Sequence, residues 1–375
     1  MKLNEKPNIM KKKHLILLFI LPLLLISCGE AGKTSVVDEG VLVKNKWSIE
    51  KANEWYARQG WIVGCNYSPS TAVNQLEMWQ KETYDAATID KELSWAQGLG
   101  FNTMRVYLHS LVWESDPEGF KQQINDYLTI SSKHGIKTIL VFFDDCWNPE
   151  AAIGKQPEPK KGVHNSGWVH DPIVSQRADT VALYPKLKAY VTDILRTFGN
   201  DERVLMWDLY NEPGNVGQLT KSLPLLKKVF EWAREVNPSQ PLTVGVWRLD
   251  FYELNKFQNE NSDIISYHCY HNAERHQDWI HIMKSYGRPI VCTEWMGRRF
   301  ESTFEKVMPM LKEQQVGAIS WGFVAGKTNT IFAWDDPRPD GKEPALWFHD
   351  ILRTDGTPYS KDEISTIKKL TGVGP

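Results

Sequence analysis

The chain has 375 residues, 42% hydrophobic and 24% charged, a composition typical of globular proteins that excludes disordered and fibrous classes. Its 44 basic residues nearly balance 46 acidic ones without a long run of either sign, so the sequence does not favour binding to nucleic acid. The 16 tryptophans stand out, because indole rings fill cores and also stack on the apolar faces of ligands.

The first predicted element is an export signal. A basic cluster is followed by an apolar run from Leu15 to Ile26 and then by Ser27 and Cys28, the pattern of a secretory signal peptide. The run is shorter than the roughly 20 residues of a transmembrane helix. Residues 25–28 are similar to a bacterial lipobox, which implies cleavage before Cys28 and acylation of its thiol. A plain signal peptide that happens to end in cysteine is the alternative.

We therefore expect a signal peptide over residues 1–27, a tether over 28–46 and one folded domain over 47–375. Met10 opens a more typical signal than Met1, so the true start is open between them. The expected location is the cell envelope, with a lipid anchor in the membrane, and the expected state is a monomer.

The other cysteines are Cys65, Cys146, Cys269 and Cys292, an even number that in an oxidising compartment suggests two disulfides. Three of them lie inside apolar strand-like runs, and none has the paired spacing of a metal site. The sequence therefore predicts buried free thiols.

Beyond the tether, apolar runs rich in β-branched and aromatic residues alternate with segments of helical period. The predicted strands are Ile62–Tyr67, Asn102–Tyr107, Lys137–Phe143, Val204–Tyr210, Leu242–Trp247, Ile264–Tyr270, Pro289–Trp295 and Gly317–Val324. The predicted helices are Ser48–Gln59, Thr88–Leu99, Gly119–His134, Thr180–Phe198, Thr220–Val236, Leu249–Phe257, Ala273–Tyr286, Ser302–Gln314 and Tyr359–Leu370. Eight strand-then-helix units in one domain predict a (β/α)8 barrel, also called a TIM barrel.

The connections differ between the two ends of the predicted barrel. Helix-to-strand links are short, whereas the strand-to-helix links Ser68–Ala87, Asp144–Asp179 and Ala325–Thr357 are long. Since strand-to-helix loops carry the site in this fold, we expect the site among these loops.

Two glutamates follow strands that face each other across such a barrel. Strand four ends in Asn211-Glu212-Pro213, and strand seven ends in Thr293-Glu294-Trp295. Hydrolysis of a glycosidic bond needs one carboxylic acid to protonate the leaving oxygen and a second carboxylate across the anomeric carbon. Either glutamate alone would equally suit a salt bridge, but the pair at opposite strand ends favours this chemistry, with the short separation of a retaining enzyme.

This pairing resembles the signature of clan A glycoside hydrolases, most closely family 5, the cellulase and mannanase group. The resemblance extends from about Trp47 to the end of the chain. It implies that Glu212 is the general acid/base, that Glu294 is the nucleophile, and that the substrates are β-linked oligo- or polysaccharides. β-1,4-Mannan, glucan and xylan stay open, and no cofactor is implied.

Five further positions match the family. Arg105 resembles the arginine near the nucleophile, and Asn211 the ligand of the sugar 2-hydroxyl. His268 and Tyr270 resemble the family's His-x-Tyr pair, which implies that Tyr270 can hydrogen-bond the nucleophile. Trp321 resembles the aromatic floor under the sugar. A structural ion pair for Arg105, and core packing for His268 and Trp321, are the alternatives.

Other candidate sugar contacts lie on the site-face loops, where loop packing is an equal alternative. They are Trp147, His164, Asn165, Trp168, Trp247 and Trp334. The pair Asp144-Asp145 suits either sugar hydroxyls or the capping of a turn. No cluster has the spacing of metal ligands along the sequence.

Two other functions compete with hydrolysis by a glutamate pair. A glycan-binding lipoprotein on an inactive barrel would bind sugar without turnover. A metal-dependent barrel hydrolase would lose activity in a chelator.

Overall fold

The computed structural model describes residues 44–374. The predicted signal peptide, Cys28 and most of the predicted tether lie outside the described residues. Within residues 44–374, no helix is both long enough and apolar enough to cross a bilayer.

Eight parallel strands form the sheet in the order β5-β4-β3-β2-β1-β8-β7-β6. They are β1 (Val63–Asn66), β2 (Thr103–Tyr107), β3 (Lys137–Asp144), β4 (Val204–Asn211), β5 (Leu242–Thr243), β6 (Ile265–His268), β7 (Ile290–Glu294) and β8 (Gly317–Ser320). Strand β1 pairs with both β2 and β8. Between β5 and β6 a single parallel bridge, Val246 to Tyr267, completes the ring. The predicted (β/α)8 barrel is confirmed.

Helices connect the strands and cover the outside of the sheet. They are α1 (Ile49–Gln59), α2 (Gln75–Trp79), α3 (Ala86–Gly98), α4 (Ser110–Ser115), α5 (Pro117–Lys133), α6 (Thr180–Phe198), α7 (Leu223–Val236), α8 (Tyr252–Asn261), α9 (Ala273–Lys284), α10 (Met308–Glu313) and α11 (Lys361–Thr371). Many begin at a side-chain cap: the hydroxyl of Ser48, for example, accepts the N–H of Lys51 at 3.1 Å. Short α2 and α4 lie in segments that were not predicted to be helical.

Several predicted elements are shorter in the structure, among them β5, β8 and α10. Strand β5 ends at Thr243 because the N–H of Val244 bonds the hydroxyl of Ser262 instead of a neighbouring strand. Helix α10 begins only at Met308, with Pro309 in its first turn. Proline has no N–H to donate and suits the start of a helix rather than its interior.

Helix α1 covers the end of the barrel where the strands begin. The N–H of Trp47 donates to Asp263, which precedes β6, at 2.8 Å, and Trp47 packs with interior strand residues such as Ile139 and Val291. This end is therefore closed by apolar side chains, and the opposite end is left for the site.

Three strand-to-helix loops are joined to one another at that opposite end. The N–H of Asn165, in the loop after β3, donates to Thr328, in the loop after β8, at 2.8 Å. The N–H of Lys327 donates to Ser70, in the loop after β1, at 3.0 Å. These loops form one continuous rim on this side of the mouth.

Candidate active site

Glu212 and Glu294 lie at the ends of β4 and β7, over the mouth of the barrel. Glu294 is the last residue of β7. Glu212 follows β4 with φ 44°, a left-handed conformation that costs free energy in a residue other than glycine. The carboxylate of Asp145 holds this turn by accepting the N–H of Gly214 at 2.7 Å. Both glutamates are at least nine-tenths buried and line one cavity.

Glu294 is surrounded by donors that suit a negative charge. Its Oε1 accepts from Arg105 at 2.9 Å and from the hydroxyl of Tyr107 at 2.8 Å. Its Oε2 accepts from the hydroxyl of Tyr270 at 2.7 Å. One fixed cation and two hydroxyl groups therefore complement the carboxylate.

Arg105 lies behind Glu294 and is fully buried, so it contacts the carboxylate rather than the cavity. Its Nη2 donates to Asp208 at 2.8 Å and to Oδ1 of Asn211 at 2.7 Å. Its Nη1 donates to Asn66 at 2.8 Å. These partners, from β1 and β4, fix the guanidinium on the interior of the sheet.

Glu212 has neutral partners instead. His268 Nδ1 lies 2.8 Å from its Oε1, whereas Asn215 Nδ2 at 2.5 Å and the thiol of Cys146 at 3.3 Å donate to its Oε2. Burial raises the pKa of Glu212 to about 7, although the hydrogen bonds from Cys146 and Asn215 act in the opposite direction. A carboxyl group with this pKa can carry a proton near neutral pH.

His268 lies between the two glutamates. Its Nδ1 is 3.5 Å from Oε2 of Glu294 as well as 2.8 Å from Glu212. Burial lowers the pKa of His268 to about 4, so its ring is neutral at pH 7. A Cβ on Gly245 would lie 3.1 Å from His268 Nε2, so a side chain at this position would crowd the ring.

The cavity above the glutamates measures about 370 Å³ and has mainly aromatic walls. Every predicted sugar contact on the loops lines it: Trp147, His164, Asn165, Trp168, Trp247 and Trp334. Asn211, His268, Tyr270 and Trp321 line it too. Trp147 and Trp334 are more than a third exposed at its rim, whereas Trp168 and Trp321 lie deep inside. The lining thus offers flat faces for stacking and a few polar groups.

The acidic pair at the end of β3, Asp144 and Asp145, is turned away from the cavity. Asp144 accepts from Asn211 at 2.9 Å and from the indole of Trp168 at 2.7 Å. Asp145 accepts from Tyr210 at 2.8 Å, besides capping the turn at Gly214. Of the two roles open for this pair, the structure shows the fixing of turns and neighbouring side chains.

Sequence reasoning missed Tyr107, Cys146 and Asn215. Tyr107 carried a usable signal, because it lies two residues after Arg105 at the end of the same strand and therefore on the same face. Cys146 and Asn215 lie in irregular turns after β3 and β4, where no period fixes the direction of a side chain.

Glu212, His268 and Glu294 also bring one donor atom each within 4.8 Å of one another, a spacing that a cation could use. The sequence could not show this because the three residues come from three strands. The guanidinium of Arg105, 2.9 Å from Glu294, opposes a second positive charge here. The cluster is a pair of carboxyl groups bridged by the imidazole of His268.

A family model described as cellulase, glycosyl hydrolase family 5, matches residues 64–326. Solved structures share the fold at low identity. A GH5_18 protein from Streptomyces cattleya in complex with GlcNAc has 11% identity and a TM-score of 0.56, with 84% of this chain and 82% of that chain covered. An endo-1,4-beta-mannanase from Rhizomucor miehei has 12% identity and a TM-score of 0.55, with 84% and 94% covered.

An endo-beta-1,4-mannanase from Thermotoga petrophila has 14% identity and a TM-score of 0.55, with 85% of this chain and 78% of that chain covered. No curated protein sequence matches the chain significantly. The family model covers more than two thirds of the chain and includes both strand ends that carry the glutamates. The chain therefore belongs to glycosyl hydrolase family 5 and is a glycoside hydrolase.

Proposed function

We propose that this glycoside hydrolase is a retaining β-glycosidase in which Glu212 is the general acid/base and Glu294 the nucleophile. The separation of the two carboxyl groups carries the proposal, since oxygens of Glu212 and Glu294 lie within 4.8 Å. Retaining enzymes have carboxyl groups about 5–5.5 Å apart, whereas inverting enzymes need about 6.5–9.5 Å to admit a water molecule.

In the first step, a carboxylate oxygen of Glu294 attacks the anomeric carbon and the bond to the glycosidic oxygen breaks. Glu212 gives its proton to that oxygen, and the leaving sugar departs as an alcohol. The raised pKa of Glu212, about 7, supports a proton on this residue at the start. The Arg105 guanidinium supports a charged Glu294.

In the second step, Glu212 is a carboxylate and takes a proton from water. The water oxygen attacks the anomeric carbon, and the bond to Glu294 breaks. Glu212 is then protonated again and Glu294 is again a carboxylate. Two inversions at the anomeric carbon give a β product.

Removal of either carboxyl group tests the pair. We expect Glu212→Gln and Glu294→Gln to lower kcat/KM on natural oligosaccharides by roughly 10³-fold or more. Glu118→Gln is the matched control, because the Glu118 side chain is 86% exposed on α5. Wild-type turnover in both site variants would reject the assignment, and sugar affinity without turnover in the wild type would indicate a binding protein.

Two measurements test the retaining mechanism and the nucleophile. ¹H NMR of the first product should show the β anomer, and an initial α anomer would reject retention. A 2-fluoro glycoside should trap a covalent intermediate, and mass spectrometry of its peptides should place the sugar on Glu294. A label on a peptide without Glu294 would overturn the nucleophile.

We propose β-linked oligo- or polysaccharides as the substrates, a choice supported by the aromatic cavity and its few polar groups. A screen of defined manno-, gluco- and xylo-oligosaccharides distinguishes the candidate sugars and shows whether bonds are cut inside the chain or at its end. Activity should survive a chelator, whereas loss of activity in EDTA that a divalent cation restores would favour the metal-dependent alternative.

We also propose that Cys28 carries a lipid and holds the enzyme at the cell envelope, a proposal supported by the lipobox-like residues 25–28. The exported protein should enter the detergent phase on phase separation, and Cys28→Ser should remain in the aqueous phase. Equal partition of both proteins would reject the anchor.

A further inference from the structure

The thiol of Cys146 lies against the carboxyl group assigned above as the acid/base. Its Sγ is 3.3 Å from Oε2 of Glu212 and 3.2 Å from Nδ2 of Asn215. Asn215 Nδ2 in turn is 2.5 Å from the same Oε2. These atoms form a closed triangle of contacts. Among the cysteines of residues 44–374, only Cys146 has its sulfur in a hydrogen bond with a carboxyl group.

The end of β3 places this sulfur. The N–H of Cys146 donates to Oδ1 of Asp144 at 2.9 Å, and the same oxygen accepts from Asn211, the neighbour of Glu212, at 2.9 Å. One buried carboxylate therefore ties the backbone that carries the thiol to the strand end that carries Glu212. The position of the thiol follows from the ends of β3 and β4 rather than from a mobile loop.

The chemistry of the two groups sets the direction of this hydrogen bond. An ionised carboxylate only accepts, so the S–H must donate when Glu212 is charged. Burial raises the pKa of the Cys146 thiol, so the thiol keeps its proton at neutral pH. When Glu212 is charged, its Oε2 thus has two donors, the thiol and the amide of Asn215.

We propose that Cys146 is a positioning residue for proton transfer, whose thiol orients the Glu212 carboxyl group and stabilises its ionised form. The inference rests on the proposed role of Glu212 as acid/base. The thiol donor then favours release of the proton to the leaving oxygen in the first step. It also lowers the pH above which Glu212 has lost the proton that this step needs.

Other charged and titratable groups face Glu212 and shape the same titration. They are Arg105 on β2, Asp144 on β3, Asp145 in the loop after β3, His268 on β6, Tyr270 after β6 and Glu294 on β7. A substitution at Cys146 leaves all of these side chains in the protein. A change in the titration of Glu212 therefore reports mainly on the thiol.

The test compares Cys146→Ala and Cys146→Ser by the pH dependence of kcat/KM on an aryl β-glycoside that the wild-type enzyme cleaves. Without the donor, the alkaline limb of Cys146→Ala should move to higher pH by on the order of 0.5–1 unit. The hydroxyl of Cys146→Ser should return the limb toward the wild-type position. Cys146→Ala should also lose more activity on a poor phenol leaving group than on dinitrophenol, because only the poor one needs the acid.

Cys65→Ala is the matched control. Cys65 is equally buried, but its sulfur faces Met104 at 3.4 Å, and this variant should keep the wild-type limb. The inference is overturned if the alkaline limb of the pH profile is unchanged in Cys146→Ala, or if it moves by the same amount in Cys65→Ala. If Cys146→Ala fails to fold, infrared spectra of the wild type and of Glu212→Gln test the hydrogen bond instead. One S–H stretching band of the wild type should shift in Glu212→Gln, and a spectrum without this shift overturns the inference. Full activity of Glu212→Gln would instead refute the proposed function itself.

Discussion

Two glutamates with identical side chains receive opposite surroundings in this site. Arg105 and two hydroxyl groups bind the carboxylate of Glu294. A thiol, an amide and a neutral imidazole surround Glu212. Only Glu294 contacts the guanidinium of Arg105 directly, so the surroundings favour a charged Glu294 and a Glu212 that can hold a proton. Enzymes assign acid and nucleophile roles to two like residues in this way.

The first prediction concerns the pH dependence of the reaction. In the proposed mechanism Glu212 must carry a proton to act as the acid, and burial raises its pKa to about 7. We therefore expect kcat/KM to fall about tenfold per pH unit above pH 7. A pH profile with a natural oligosaccharide measures this limb, and activity that stays constant up to pH 9 would contradict it.

The second prediction concerns stability. Burial raises the pKa of Glu212 from 4.5 to about 7 in the folded state, so its contribution to folding is complete below pH 4.5 and is lost as the pH rises to 7. Glu212→Gln removes this titration. Between pH 4.5 and 8 the free energy of unfolding of the variant should therefore rise relative to that of the wild type by about 3 kcal/mol. Urea unfolding at several pH values measures the difference, and parallel curves would contradict the prediction.

At the scale of elements, the sequence predicted the eight strands and the long helices because burial on both faces and helical periodicity leave clear patterns. Both catalytic candidates came from strand ends, where the fold fixes direction. Helices α2 and α4 were missed because five or six residues are too few to show a period. Cys146 and Asn215 were missed because they lie in irregular turns, where the sequence has no period from which the direction of a side chain can be predicted.

The third prediction concerns the contact between the loops after β3 and β8, which is part of the rim. Gly162 has φ 64°, and a Cβ there would lie 1.7 Å from the carbonyl oxygen of Arg338. Gly162→Ala must separate the loops and break the 2.8 Å hydrogen bond from the N–H of Arg338 to Gly162. We expect a loss of stability of about 2 kcal/mol or more, and a lower kcat/KM.

Gly154→Ala, in the same loop, is the control for this change. Gly154 also has positive φ, 107°, but nothing lies within 4 Å of a Cβ placed there. Chemical unfolding and kcat/KM for both variants separate the clash from backbone strain. Equal losses in the two variants would show that contact between the loops contributes little.

The fourth prediction belongs to the whole molecule. Cys65, Cys146, Cys269 and Cys292 are free and buried, as the sequence predicted. Burial raises the pKa of each thiol. A thiol reagent such as DTNB should therefore react with none of the four in the native protein, although the chain is predicted to enter an oxidising compartment.

In denaturant, all four thiols should react without prior reduction. A lower count in the denatured protein would indicate a disulfide. Rapid native labelling of Cys65 or Cys292, which do not line the cavity, would show that the barrel opens far more often than its packing implies. Labelled peptides identified by mass spectrometry distinguish these outcomes.

Both ends of the described chain leave the barrel on the side where the strands begin. Trp47 is held at Asp263, just before β6, and the hydroxyl of Thr371 donates to Leu99, just before β2, at 2.8 Å. The cavity opens at the other end of every strand. A bead, a fused protein or a solid surface attached at either end would thus face away from the cavity. Such an attachment leaves the mouth of the cavity open to solvent.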